Sequence, residues 1–386
     1  MENDTQTSGA PSIGKTVVGL IVLLLIVGGF VWYGSPTKSQ ESIKIGGAFG
    51  LTGICAEFGE GELKAATLAI EEANASGGVN GKRLELVSED TQCENRTTVS
   101  AFQKLINVDK VSAVIGPTWG DTFQSGYPIS RDADVLAIGA SSALESLEFT
   151  GASNDLVFST WFPQHREIDA LEEYIAKQGL KSVSIVHDQD PFGAMMGKLF
   201  KDQAARHGLE VIEEEEVAVG VQDYRTFIIK VKAEKPDAIF ISFVSSDHKA
   251  IFMKQAKELG IVTPIFASAD TENPALLSSF ASALEGVVYT FPKGAKGYDE
   301  FARKYRERFG EEPKASASHA YDAMHALAAA LQKSGSQSGK ELQNALLTLS
   351  IPGATYDMVE FTEKHQVSGG EFEIKTVKDG KFVNVK

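Results

Sequence analysis

"IGGAFGLTGICAEFGEGELKAATLAIEEANASGGVNGKRLELVSED" runs from Ile45 to Asp90. An apolar run meets a loop containing Gly50, Gly53 and Cys55, a helical pattern follows, and GGVNG leads into a second apolar run. Within the helical pattern Leu63, Ala66, Thr67 and Ile70 recur at i, i+3, i+4 and i+7, which predicts a buried stripe. Gly77 and Gly78 end it. Strand, Gly-rich loop and helix open many nucleotide-binding folds, yet the nucleotide signatures are missing. A dinucleotide fingerprint needs G-x-G-x-x-G with a helix starting directly behind it, so that backbone amides face a pyrophosphate. Here the spacing is G-A-F-G-L-T-G, Gly47 to Gly53, and about six further residues precede the helix. A Walker loop needs Lys-Ser/Thr after its final Gly, and none follows. The glycines are expected instead to provide turns and room for the close approach of a small ligand.

Outward from this stretch, strand and helix patterns alternate. "VSAVIGP", "VLAIGASS" and "LVFSTWF" read as further strands of one unit. "SVSIVHD", "LEVIEEEEV", "AIFISFV" and "PIFAS" read as strands of a second unit that begins near Lys181. The alternation predicts an α/β protein with doubly wound parallel sheets, covered on both faces. More helical sequence, "YDEFARKYRERF" and "SASHAYDAMHALAAALQ", follows the second unit, so two lobes are expected with the chain crossing between them more than once. The run Glu213 to Glu216 reads as a solvated strand edge or loop.

The 386 residues suffice for two lobes, and the composition, 43% hydrophobic and 23% charged, is that of a globular protein. The net charge is -15 and the pI about 5.0, with no basic stripe of the kind that neutralises phosphates, which argues against a nucleic-acid partner. The N-terminus differs. "TVVGLIVLLLIVGGFVWY", Thr16 to Tyr33, carries no charge and has about the minimum length for crossing a bilayer core, with Trp32 and Tyr33 at one end. A cleaved signal peptide is the competing reading. Against cleavage stand the polar tail Met1 to Lys15, the length of the apolar run and the lack of a small-x-small site in FVWYGSP. A retained anchor is therefore expected, with the large domain outside the cytoplasm.

Catalytic signals are weak. His319 and His325 are six apart and do not stack on one helix face. H-E-x-x-H, C-x-x-C and Gly-x-Ser-x-Gly are absent, so neither a metal site nor a hydrolase nucleophile is expected. His187-Asp188 reads as a hydrogen-bonding turn at a strand end. No cofactor is implied. The two cysteines, Cys55 and Cys93, form a pair that can oxidise outside the cytoplasm, or remain two thiols.

"LTGICAEFGEGELKAATLAIEEANASGGVNGKRLELVSED" resembles the N-terminal signature of type I periplasmic solute-binding proteins, the leucine/isoleucine/valine-binding group that serves ABC importers. "AVIGP", "IVHDQDPFG", "KPDAIFIS" and "YRERFGEEPKASASHAYDAMHAL" resemble family segments in the same order. The resemblance runs from Ile43 to about Lys386. It implies two α/β lobes joined by a three-segment hinge, with a small solute bound between them by hinge closure. It also implies a disulfide, since Cys93 matches a Cys position of some members and Cys55 lies in the first cleft loop.

Site residues carry over unevenly. The family's Ser after "VIG" and its Ala/Ser-x-Thr stretch fall on Thr118-Trp119-Gly120 and Ser141-Ser142-Ala143. The Ser position is Gly120 and the Thr position is Ala143, so Ser141 and Ser142 are the hydroxyls left to compensate. Asp270 stands where the family places the partner of an ammonium group. Phe58 and Phe192 match aromatic positions, and Trp119 offers an apolar plate or a cation-π face.

The expected organisation is a cytoplasmic tail (1–15), a transmembrane anchor (16–33), a linker (34–42), a first lobe (43–160 with about 290–365) and a second lobe (161–289 with about 366–386). The expected function is solute binding for an ABC importer, the solute being an amino acid or a similar small polar molecule and the partner a permease. A ligand-sensing ectodomain with a membrane signalling partner is the alternative, and an enzyme acting on small amides or nucleotides is the weaker rival.

Overall fold

A computed structural model describes residues 1, 41–145, 155–314 and 316–385. The chain divides into two units, Met1–Glu41 and Ser42–Lys386. The expected anchor Thr16 to Tyr33 lies outside the described residues, as does nearly all of the tail and linker on either side of it. Among the described residues no helix is long and apolar enough to cross a membrane.

Within Ser42–Lys386 there are two main sheets. Strands β1 (Ser42–Phe49), β2 (Arg83–Asp90), β3 (Ala113–Ile115), β4 (Leu136–Gly139) and β5 (Val157–Ser159) form the first, in the order β2-β1-β3-β4-β5, all parallel. The second contains β6 (Ser182–Asp188), β7 (Glu210–Val217), β8 (Ala238–Ser242), β9 (Ile265–Ala267) and β10 (Val288–Pro292), in the order β10-β9-β8-β6-β7. Each of these five-strand sets therefore has the same doubly wound order, with the second strand on one side of the first and the third on the other.

The residue pattern explains the double covering. Along β3, Ala113 and Ile115 join one apolar cluster and Val114 the opposite one. Along β8, Ile239 and Ile241 face one cluster and Phe240 the other. Period-two alternation with apolar residues on both faces is what a buried parallel sheet requires.

The second sheet departs from an all-parallel expectation at one edge. After β11 (Ile351–Pro352) and β12 (Met358–Val359), which pair with each other, β13 (Phe372–Lys378) and β14 (Lys381–Asn384) add to β10 as an antiparallel hairpin. The two-residue turn is Asp379-Gly380, with φ of 51° and 66°. Positive φ at both central residues matches the twist of a tight hairpin, and Asp-Gly is a favoured pair for it. At the other edge, β7 carries Glu213 to Glu216, of which Glu215 is buried and pairs with Lys230 at 2.9 Å. Charge on an edge strand discourages pairing with another chain.

The chain passes between the sheets at 160–163, at 293–297 and at 368–371. Helices Tyr298–Phe309 and Ala317–Ser334 return to pack on the helix Ala56–Ala75 of the first sheet. That helix buries Glu62, Ala65, Ala66 and Ala69, while Leu63 and Thr67 are only half-buried. Ala66 and Ile70 of the predicted stripe are buried as expected, and the buried face is rotated from that stripe toward Glu62, Ala65 and Ala69. Alanines on this helix meet Ala320, Ala323 and Ala330 of its partner in one cluster, and small side chains allow two helices to approach closely.

Gly53, with φ 83°, provides a turn as expected, while Gly50 and Gly59 serve close packing within the protein. A Cβ on Gly50 would lie 2.1 Å from Cys55 Sγ, and one on Gly59 would lie 2.2 Å from the Gly50 carbonyl oxygen. They make room for a disulfide and for the first turn of the helix, not for a ligand. Cys55 and Cys93 are joined, with Cα atoms 6.3 Å apart and a sequence separation of 38.

The buried Glu62 ties the surroundings of this helix together. Its carboxylate accepts hydrogen bonds from Thr118 (2.5 Å), Ser316 (3.1 Å) and Ser141. Burial pushes the Glu62 carboxyl up to about 7, against the opposing pull of the three hydroxyl donors.

Two outcomes follow. Thiol labelling of the denatured, unreduced full chain should find no free cysteine, and reduction should lower stability by about 3–4 kcal/mol on the chain-entropy account; two labelled thiols would contradict the pairing. The second concerns pH. With its folded pKa raised, Glu62 keeps a proton that the unfolded chain releases, so its contribution is greatest below the ordinary carboxyl range and declines as pH rises to about 7. Glu62→Gln stays neutral, so its stability relative to the parent should improve between pH 4 and pH 8, by roughly 3 kcal/mol. Urea titration at the two pH values is the check, and an unchanged difference would contradict it.

Candidate functional site

In open α/β sheets ligands bind beyond the carboxyl ends of the strands, in the crevice where neighbouring connections leave in opposite directions. The first sheet has that crevice between β1 and β3, and the second between β6 and β8. A cavity of about 420 Å³ is lined from both. Phe58 follows β1, Trp119 and Gly120 follow β3, and Ser141 and Ala143 follow β4. Across from them, Asp190 and Phe192 follow β6, Ser245 and Asp247 follow β8, and Asp270 follows β9. The volume is within the range for small-molecule pockets.

On the first-sheet side the loop after β3 is held tightly. Thr118 Oγ1 accepts from the Gly50 N–H at 3.0 Å while donating to Glu62. Thr122 Oγ1 donates to the carbonyls of Thr118 and Trp119, at 3.1 and 3.0 Å. Between these anchors Trp119 has a φ of 68°, uncommon for a bulky residue and costing about 1–3 kcal/mol. The result is an indole, half-buried, whose ring meets Phe58 edge to face, centroids 5.7 Å apart and planes at 74°.

Thr118 and Ser142 were expected to touch a ligand, but neither lines the cavity. Both are fully buried; Ser142 Oγ donates to the Pro117 carbonyl at 2.7 Å, and the Thr118 hydroxyl is engaged with Glu62. Ser141 does line it, yet its hydroxyl donates to Glu62 and accepts from the Trp119 N–H at 3.3 Å. The hydroxyls expected to compensate for Gly120 and Ala143 thus serve the wall itself.

On the second-sheet side, Asp190 caps the helix Pro191–Gln203, its Oδ1 accepting from the Phe192 N–H at 2.9 Å. Asp270 lines the cavity as expected, but it is also paired with Lys249, a fully buried lysine, and accepts from Ser268 Oγ at 2.5 Å. Lys249 answers the Asp270 charge from within the protein. Removing Asp270 would leave the lysine's charge buried without its ion-pair partner, a strongly destabilising change. Behind this pair, Glu167 accepts from the Ala269 N–H at 2.6 Å and from Thr290 at 3.0 Å. Burial, with the charge of Asp270 adding to it, pushes the Glu167 carboxyl up to about 8. Glu167 stands just after the first passage between the sheets, so it joins that passage to the cavity wall. The two walls touch where Asn273 donates to Glu57 at 3.5 Å.

Sequence reasoning missed Glu62, Lys249 and Glu167. Each is a single charged residue in a helical pattern, where a charge normally signals the solvated face. Among the described residues no group of three or more His, Cys, Asp or Glu side chains is placed to hold a metal ion. His187 Nδ1 lies 2.9 Å from the Asp188 carbonyl, a local contact.

Residues 42–381 match the periplasmic binding protein family. A leucine-, isoleucine-, valine-, threonine- and alanine-binding protein of Pseudomonas aeruginosa is 25% identical over 359 residues, 91% of this chain and 93% of that protein. The branched-chain amino acid transporter substrate-binding protein of Streptococcus pneumoniae, solved with isoleucine, superposes with a TM-score of 0.75 at 25% identity, covering 89% of this chain and all of the other. An ABC transporter solute-binding protein of Rhodopseudomonas palustris, solved with 3,4-dihydroxybenzoic acid, gives 0.76 at 25% identity, covering 89% and 96%. These relatives are binding proteins, not enzymes. With two doubly wound sheets, a cavity between them and a family match across nearly all of Ser42–Lys386, the chain belongs to the periplasmic binding protein family and has its type I fold.

Proposed function

We propose that this protein is the extracytoplasmic solute-binding component of an ABC importer, taking an amino acid or a similar small polar solute into the cavity between its two sheets. The observation that carries this reading is the cavity itself, lined at the same time by the crevice loops of both sheets. Among the described residues three short connections join the sheets, so a hinge motion would open and close it. The closed form would then be what a permease recognises. Supporting the importer are the relatives whose own descriptions name amino acid binding or ABC transport. The sensing ectodomain has no such support among them.

In this reading Phe58, Trp119, Gly120, Ala143 and Phe192 form the contact surface, Ser141 contributes through its backbone and Cβ, and Asp270 contributes a carboxylate already balanced by Lys249. Thr118 and Ser142 act by holding the loops. The uncharged segment Thr16 to Tyr33 would keep the protein at the membrane, beside its permease.

Native mass spectrometry of the full chain, purified from membranes in mild detergent, tests the reading. The expected result is one small solute bound per chain and released on unfolding. Adding that solute back should change tryptophan fluorescence, because Trp119 and Trp161 both line the cavity. If no solute co-purifies, and a mixture of amino acids, amines and aromatic acids leaves the fluorescence unchanged, the binding reading is wrong.

A further inference from the structure

The cavity's charge is one-sided. Glu57, Asp190, Asp247 and Asp270 line it, and no Lys, Arg or His is among its described lining residues. Lys249 pairs with Asp270 from a fully buried position, and its charge also reaches Asp188 and Glu167 behind the wall. Glu57 accepts from the Asn273 amide at 3.5 Å, and the Lys314 ammonium acts on it from outside the cavity. Asp190 receives only a backbone N–H among its hydrogen bonds, from Phe192, and burial pushes its carboxyl above the usual range. Just behind it Asp188 is buried, accepts from the Val244 N–H at 2.9 Å, and is pushed up to about 6, again by burial. A solute carrying a free carboxylate would enter this field against repulsion, while a cation would be drawn in.

The apolar part of the wall fits the same solute. Phe58, Trp119, Trp161 and Phe192 all line the cavity, and Phe58 and Trp119 meet at 74° to form a corner. The faces of such rings attract ammonium groups, tryptophan most strongly, and rings set at an angle are the arrangement used to hold alkylated ammonium ions. Trp119 is kept in this corner at the cost of a left-handed backbone, so its position is built by the loop and not a by-product of packing. On the first-sheet wall the Ser141 hydroxyl is diverted to Glu62, and Ser142, behind it, donates to Pro117; Ser245 and Ser279 are the hydroxyls of the opposite wall.

We infer that the solute is a small organic cation, an ammonium compound without a carboxylate, held between the aromatic corner of Phe58 and Trp119 and the carboxylates of the opposite wall. This rests on the solute-binding reading above and narrows it. The zwitterionic amino acids bound by the relatives would then be poor ligands here, since no side-chain cation is among the described lining residues to meet their carboxylate.

Calorimetric titration of the full chain in detergent tests this with four probes: choline, 1,4-diaminobutane, leucine and benzoate. At least one of the two cations should bind about tenfold or more tighter than leucine and benzoate, and should weaken as salt is raised. Trp119→Leu should weaken that cation about tenfold, as should the pair Asp190→Asn with Asp247→Asn. Asparagine keeps the helix cap at Asp190, so this pair removes charge while leaving the helix start intact. Thermal melts of each variant separate lost binding from lost fold. Leucine or benzoate binding tighter than both cations would overturn the inference and leave the solute-binding reading standing. So would cation binding that both variants leave unchanged. If none of the four binds and no solute co-purifies, both readings fall.

Discussion

In a parallel sheet every strand points the same way, so every connection that follows a strand leaves from one edge. Backbone N–H and C=O groups inside the sheet are used up by the ladder, and only the loops beyond the carboxyl ends are free to present varied side chains. Here that constraint operates twice. The five parallel strands of each sheet have the same order, and the β1/β3 and β6/β8 crevices open on one shared cavity. Most of the lining comes from the loops and helix starts that follow these strands, with Leu276 and Ser279 added from the helix after β9.

Loops alone would not hold a side chain to within the tolerance that recognition needs. Two buried polar anchors supply the rigidity. Glu62 gathers Thr118, Ser141 and Ser316 around one carboxylate, which fixes the loops after β3 and β4 against the helix after β1. Lys249 and Asp270, with Ser268, do the same for the loops of the second sheet. Buried ionisable groups are a weak source of net stability, but a satisfied one restricts the conformations available to its partners. The cost is a carboxyl at Glu62 that burial raises to about 7. The gain is a strained Trp119 held at the cavity wall.

Much of this architecture was legible from residue patterns. Apolar runs alternating with helical stretches gave the parallel sheets, and the missing nucleotide signatures turned the reading of the Ile45 to Asp90 stretch toward a small solute. The antiparallel hairpin at the end was not read from the sequence, although "VKDGKFV" has Asp-Gly between two β-rich runs, because that signal is short and local. The rotated face of helix Ala56–Ala75 was harder, because alanines bury well yet contribute little to a hydrophobic pattern dominated by Leu63. At the site, Phe58, Trp119, Gly120, Ser141, Ala143, Phe192 and Asp270 come together as a lining. What the sequence withheld was which hydroxyls and charges are consumed inside the protein. That depends on contacts such as Glu62 with Ser316, residues 254 apart in the chain, which no local pattern encodes.

The central claim is that one solute is grasped by the strand-end loops of both sheets at once. Hydrogen–deuterium exchange of the full chain, with and without its co-purified solute, addresses it most directly. Solute should slow exchange together in 50–58, 116–120, 188–192 and 243–247, two segments from each sheet, while the strand interiors stay as they were. Slowing in the segments of one sheet alone, or in a groove elsewhere such as that formed by Pro163, Arg166 and Thr362, would contradict the account.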